Sequence, residues 1–293
     1  MDETAPIVVG VDGSEGSQAA LALARREAQL WGGTVEAVMG WDHLNQPGSA
    51  DEHPFDPHYS PEQAQAFLEE LLAGAADDGP QVVARAVCDH PASALLDAEQ
   101  EADLLVVGAR GHGGFLGLRL GSVSQKVLHH APCPVLVVSG AAAPSTDGRP
   151  VVAGVDGSDS SRRALRWAAH EAVRRGVRLV ALHGWDLPPA AAPSPLADPM
   201  VVLPTDAFAE GATALVEAEV AALREQVPEV EVEARAEGTG IGQALMDASE
   251  GAAMVVVGSR GRGGFAELLL GSISQQLAHH APCPVAIIPT PRD

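Results

Sequence analysis

Aromatic residues are scarce in this 293-residue chain: five Phe, four Trp and one Tyr, 3% in all. With so few rings, the interior has to be filled by Val, Leu, Ala and Ile. That composition suits a parallel sheet covered on both faces by helices. Cysteine is nearly missing too. Cys88, Cys133 and Cys283 form an odd set with no Cys-x-x-Cys spacing, which argues against a disulfide framework and a zinc site. Cys133 and Cys283 each open an apolar run and are expected to be buried, inert thiols. No apolar run approaches the roughly 18 residues of a membrane helix. The acidic Met1–Pro6 segment lacks the basic-then-apolar pattern of a secretory signal. A soluble, cytoplasmic, reduced protein is expected. Basic residues number 18 against 39 acidic ones, for a net charge of −21. Such a surface repels nucleic acid and anionic membrane, so neither is expected as a partner.

What the chain does have is an internal repeat. Gly108–Val135 reads GARGHGGFLGLRLGSVSQKVLHHAPCPV and Gly258–Val285 reads GSRGRGGFAELLLGSISQQLAHHAPCPV, identical at 19 of 28 positions without a gap. Near the start of each half, VGVDGS (Val9–Ser14) is matched by AGVDGS (Ala153–Ser158). Asp12 and Asp156 are 144 residues apart, Gly108 and Gly258 150 apart. The six extra residues fall between the motifs, where the Pro/Ala-rich stretch Leu187–Pro204 can absorb them as a surface loop. The small, polar, turn-rich segment Gly140–Gly148 reads as a linker. Two domains are therefore expected, 1–140 and 149–293, joined by a linker at about 140–148.

Strand and helix signals alternate within each half. Strands are expected at Ile7–Val11, Thr34–Trp41, Gln81–Val87, Leu104–Gly108 and Pro134–Ser139, with helices at Ser17–Trp31, Pro61–Ala76, Ala92–Glu101 and Gly121–Ala131. The second half repeats the order, with strands near Val151, Leu179, Val230, Met254 and Val285. The fold class is α/β: two tandem Rossmann-like domains, each a five-stranded parallel sheet with helices on both faces. Ligands on such sheets bind beyond the carboxyl ends of the strands, at the switch point of strand order. Both the VDGS and the Gly-rich motif directly follow strands, so both belong to that edge.

The Gly-rich segments are Gly108-x2-Gly111-x9-Gly121-Ser122 and Gly258-x2-Gly261-x9-Gly271-Ser272, each between a strand and a helix. Glycines let backbone N–H groups approach phosphate oxygens closely. Gly121-Ser122-Val123-Ser124 and Gly271-Ser272-Ile273-Ser274 begin helices, where free N–H groups and the dipole attract anions. The hydroxyls of Ser122 and Ser124, and of Ser272 and Ser274, can add hydrogen bonds. Arg110, His112, Arg260 and Arg262 concentrate positive charge inside an otherwise acidic chain, beside Gly113, Gly114, Gly263 and Gly264. The plainer account makes these glycines tight turns and Ser122 an ordinary N-cap. Exact recurrence of the spacing in both halves favours the phosphate cradle. No Lys-Ser/Thr follows the glycines, so this is not a Walker loop. The first strand ends in Gly10-Val11-Asp12-Gly13, so the dinucleotide fingerprint is absent as well.

With its VDGS first strand, G-x2-G-x9-G-S loops and closing HAPCPV, the chain resembles the universal stress protein family in both halves, as a tandem member of the ATP-binding type. The resemblance implies a five-stranded parallel sheet per half. It implies that Gly108, Gly111, Gly121 and Ser122, and Gly258, Gly261, Gly271 and Ser272, hold ribose and phosphates. It puts Asp12 and Asp156, with Gly10, Val11, Gly154 and Val155, beside the nucleotide. It places the adenine near Gly40 and Trp41, and near Gly184 and Trp185. Family members dimerise through the last strand, so the two halves are expected to pair within one chain as a pseudo-dimer, with a homodimer of chains also open. The protein partner is not readable.

The halves differ in two places. His112 stands opposite Arg262, and Cys88-Asp89-His90-Pro91 is aligned with Glu237-Gly238-Thr239-Gly240. Asp12 and Asp156 can either help position Mg²⁺ at the phosphates or stabilise their own turns. The adjacent pairs His129-His130 and His279-His280 end helices, where a cation complements the dipole. Neither Ser124 nor Ser274 sits in G-x-S-x-G, so no nucleophile elbow is visible, and no catalytic residue is assigned. The expected function is an ATP-binding stress-response or signalling module with at most slow hydrolysis. An adenine-nucleotide hydrolase and an ATP-independent interaction scaffold are the alternatives.

Overall fold

A computed structural model of the chain describes residues 6–42, 46, 56, 58–73, 79–99, 102–111, 120–139, 148–186, 205–261 and 270–290. The linker residues 140–147 and the loop 187–204 lie outside that set. In the first half, β1 is Ile7–Gly10, α1 Glu15–Trp31, β2 Val35–Trp41, α2 Pro61–Ala73, β3 Val82–Cys88, α3 Pro91–Ala98, β4 Leu104–Gly108, α4 Ser122–His130 and β5 Val135–Val138. In the second, β6 is Val151–Gly154, α5 Asp159–Arg175, β7 Leu179–Gly184, α6 Thr205–Gln226, β8 Val232–Glu237, α7 Ile241–Ser249, β9 Met254–Gly258, α8 Ser272–His280 and β10 Val285–Ile288.

Local chemistry sets these limits. Ser14 accepts a hydrogen bond from the Ser17 N–H and so starts α1. Gly32 ends it at φ 73°, a left-handed conformation that suits glycine. Ser158 and Gly176 do the same for α5. The helix expected from Ala92 starts instead at Pro91, whose missing N–H would lack a partner there anyway.

The strands form one ten-stranded sheet in the order β3-β2-β1-β4-β5-β10-β9-β6-β7-β8. Pairing is parallel within each half, and β5 meets β10 antiparallel. The strand order reverses between β1 and β4, and again between β6 and β9, so those two places are the switch points. Alternation along each strand sends side chains to two layers. Ile7, Val9, Leu104 and Val106 join α1 and α2 on one face, while Val8, Leu105 and Val107 join α3 and α4 on the other. Both cores run through the seam into the second half.

The apolar last strands cover each other. Val135 faces Ile287, Leu136 faces Ala286 and Val137 faces Val285. Leu136 and Ala286 occupy the same repeat position, so the seam has an approximate twofold axis through that pair. The pairing of halves anticipated from the sequence is thus built within the chain. The sheet ends at β3 and β8. Gln65 of α2 lies along the outer edge of β3, donating to the Ala84 carbonyl (3.2 Å) and accepting from the Ala86 N–H (2.9 Å). Arg224 of α6 donates to the Val232 carbonyl of β8 at 3.0 Å.

Candidate functional site

Asp12 leaves the end of β1 and the Gly-rich loop leaves the end of β4, so the two motifs meet at the first switch point. Asp156 and the second loop meet likewise after β6 and β9. Gly13 and Gly157 follow the aspartates at φ 87° and 77°, a conformation most side chains avoid. The turn lets Asp12 Oδ1 accept from the Ser14 N–H (3.0 Å) and from the Ser14 hydroxyl (2.6 Å). Asp156 Oδ1 accepts from the Ser158 N–H at 2.9 Å. One carboxylate oxygen therefore does stabilise the turn. The other, Oδ2, lies against the loop. A Cβ on Gly111 would collide with Asp12 Oδ2, and one on Gly261 would stand 2.7 Å from Asp156 Oδ2.

The base of the loop is equally close-packed. A Cβ on Gly108 would come within 2.6 Å of the Gly16 backbone. The second half has Ser160 in place of Gly16 and Ser259 in place of Ala109. There Ser259 Oγ accepts from the Thr290 N–H (3.1 Å), and Thr290 Oγ1 reaches Ser160 Oγ at 3.4 Å. The role of position 16 was missed in the sequence. Its signal is the unlike pair Gly16 and Ser160 just inside each first helix.

The far end of each loop opens a helix. Gly121 is the N-cap of α4 and Gly271 that of α8, and neither has a side-chain cap. Their own N–H groups donate to Ala109 O and Ser259 O, both at 2.7 Å. Among the described residues no side chain caps these first turns, whose N–H groups lie at the positive end of the helix dipole. Ser122 and Ser272 are both exposed on that turn. Ser124 and Ser274 are placed differently from the sequence expectation: each is buried and donates to the carbonyl of Gly108 (2.6 Å) or Gly258 (2.8 Å). Those protons tie helix to strand. Val123 and Ile273 pack against the core beneath α4 and α8.

Arg110 is exposed, whereas Arg260 is partly buried and its Nε has no partner among the described residues. His112, Gly113, Gly114, Arg262, Gly263 and Gly264 lie outside them. Gly10 and Gly154 face Leu95 and Leu245, and Val11 and Val155 are core residues. Gly184 lets α7 approach, since a Cβ would stand 2.5 Å from Ile241 Cα; Gly40 does the same for Pro91 of α3. Trp41 is 2% exposed and packs edge-on against Tyr59, ring centroids 5.2 Å apart. It serves the core. Trp185 is only partly buried and lies against Gly238. One alignment needs correction. His90 and Gly240 both cap the helix that follows, and Pro91 and Ile241 both face the glycine of the neighbouring strand. Cys88–Pro91 therefore corresponds to Gly238–Ile241, one residue further on than the sequence pairing.

Elsewhere, burial pushes the thiols of Cys133 and Cys283 up to about 12, as expected of inert cysteines. Burial and then the neighbouring His130 lower His129, and burial and His280 lower His279, so each is held toward its neutral form. At His129 and His279 this runs against the cationic role expected of these helix ends. No group of three or more His, Cys, Asp or Glu among the described residues is arranged to hold a metal ion. No helix among them is long and apolar enough to cross a membrane.

Fold and site together define a duplicated, doubly wound α/β protein with a close-packed, glycine-containing loop at each switch point. The chain belongs to the Universal stress protein family, whose profile matches residues 4–139 and 148–289. It is 36% identical over 296 residues to a universal stress protein of Mycolicibacterium smegmatis, covering 96% of each chain. It is 34% identical over 295 residues to one of Mycobacterium tuberculosis, covering 96% of this chain and 95% of that one. A solved universal stress protein structure from Archaeoglobus fulgidus shares the fold at TM-score 0.69 and 22% identity, covering 97% of this chain and 98% of that one.

Proposed function

We propose that the chain binds ATP, one molecule per half, at the two switch-point crevices, and works as a nucleotide-dependent stress-response module. One observation carries this reading. Twice in the chain an aspartate is packed against a loop glycine that has no room for a Cβ, beside a helix N-terminus with no side-chain cap. Such a crevice offers backbone N–H groups and a positive dipole end to an anion, which fits the phosphates of a nucleotide. Bound ATP supplies the charge that these groups neutralise. Asp12 and Asp156 are the carboxylates nearest the Gly-rich loops and the candidates to help position an accompanying Mg²⁺. Among the described residues the site pairs anion donors with no evident general base, so occupancy rather than turnover is the expected signal, with hydrolysis at most slow. The location consistent with this role is the cytoplasm.

The test is to denature the purified chain and identify the small molecules released. Close to two ATP per chain is the expected result. AMP or pyrophosphate accumulating over many turnovers would support a hydrolase instead. An empty protein with no thermal shift in millimolar Mg-ATP would overturn the reading.

A further inference from the structure

Beside the β5–β10 seam, α1 of the first half packs against α5 of the second. The 144-residue offset makes Glu27 equivalent to Glu171 and Trp31 equivalent to Arg175. Glu27 and Glu171 are both 0% exposed. The Arg175 side chain lies between them: Nη2 contacts both Glu27 oxygens (2.5 and 2.6 Å), and Nη1 pairs with Glu171. Arg174, more exposed, donates to the other Glu171 oxygen at 2.6 Å. Trp31 occupies the place where exact symmetry would put a second buried arginine. Its ring lies 6.5 Å from that of Trp167 and under the Arg174 guanidinium at 4.6 Å.

We propose that Arg175 determines which halves pair. One guanidinium, supplied from one side of the pseudo-twofold axis, serves a buried carboxylate from each side, so the first half docks on the second and rejects another first half.

The argument rests on charge and burial. Two first halves brought together through the same surface would bury two copies of Glu27 and two of Trp31, with neither α5 arginine between them. Buried carboxylates without a cation are strongly disfavoured. Besides Arg175, the charged groups acting on Glu27 are Glu171, which raises it, and Arg26 on its own helix, which lowers it. The sheet below contributes apolar Leu136, Val138, Ala286 and Ile288. Burial raises Glu27 to about 7 against the pull of Arg175, as expected where one arginine is shared by two acids. The site is charge-specific and nearly symmetric, so it should accept its arginine from either helix.

That symmetry gives the experiment. Full-length Arg175→Trp, Trp31→Arg and the double variant that exchanges the two residues are compared by thermal unfolding at pH 5.5 and pH 8. Arg175→Trp should lose about 5–10 °C at pH 8. It should lose less at pH 5.5, where the orphaned acids take up protons. The exchanged variant should recover at least half of the loss. Unchanged melting of Arg175→Trp at both pH values overturns the proposal. So does an equal loss at both pH values with no recovery on exchange, which would reduce Arg175 to packing. Should Arg175→Trp fail to fold, the chain Glu27→Leu, Glu171→Leu, Arg175→Met, in which apolar side chains replace the three buried charges, decides. It should fold and melt near the wild type, and failure to fold overturns the proposal.

Discussion

Asp12 and Gly111 touch across the first switch point, with no room on the glycine for a methyl group. The obstacle is the carboxylate itself, because Gly111 is not among the glycines at positive φ. Gly111→Ala must displace Asp12 or the loop, at about 1–3 kcal/mol for an overpacked contact. The expected outcome is ATP binding reduced from two sites per chain to one, read by calorimetry. Gly261→Ala should remove the other site. A Cβ on Gly261 would stand 2.7 Å from Asp156 Oδ2, so a milder loss is expected there. Two full sites in both variants would show that the crevices do not hold the nucleotide.

Ser124 separates support from contact. Its hydroxyl donates to Gly108 O from a buried position, and Ser124→Ala leaves that carbonyl without this donor. A stability loss of about 1 kcal/mol is expected, read as a lower urea midpoint. ATP affinity should change little if the phosphates meet backbone N–H groups. A large affinity loss with unchanged stability would return the hydroxyl to the ligand.

The duplication, the parallel halves and the switch-point motifs were all legible in the sequence. Repeats and β-branched runs are local signals, and tertiary packing reinforces them. The paths of individual side chains were less legible. Trp41 and Trp185 share a repeat position, yet Tyr59 from the following loop packs on Trp41, while Trp185 lies on Gly238. Ser124 looks like an anion donor until the fold brings Gly108 O beneath it. Glu27 sits among Ala20, Leu23, Ala24 and Ala28 on the buried face of α1. That placement flags it as unusual, but its partner lies in the other half of the chain.

Glu27 also predicts a pH dependence. Burial raises its folded pKa from 4.5 to about 7. Between those values the folded chain holds a proton that the unfolded chain has released. The contribution to stability is therefore fully present below pH 4.5 and is lost as pH rises through about 7. Chemical denaturation at several pH values should show this fall, and Glu27→Gln should flatten it. A wild-type profile that rises across the window would assign the proton to another group.

The free edge of β3 yields the last prediction. Val83 is 48% exposed there, on an edge strand of mostly apolar sequence. Such an edge pairs readily with another strand unless it is blocked. The Gln65 amide imitates a neighbouring strand, meeting one carbonyl and one N–H of β3. Gln65→Ala uncovers both groups while leaving the helix intact. Concentration-dependent association should then appear in sedimentation, with little change in the melting temperature at low concentration. Gln65→Glu keeps the acceptor for the Ala86 N–H but sets a carboxylate against the Ala84 carbonyl, and its charge repels a second edge. That variant should stay unassociated. Association of Gln65→Glu to the same extent as Gln65→Ala would show that the edge is protected by something other than this side chain.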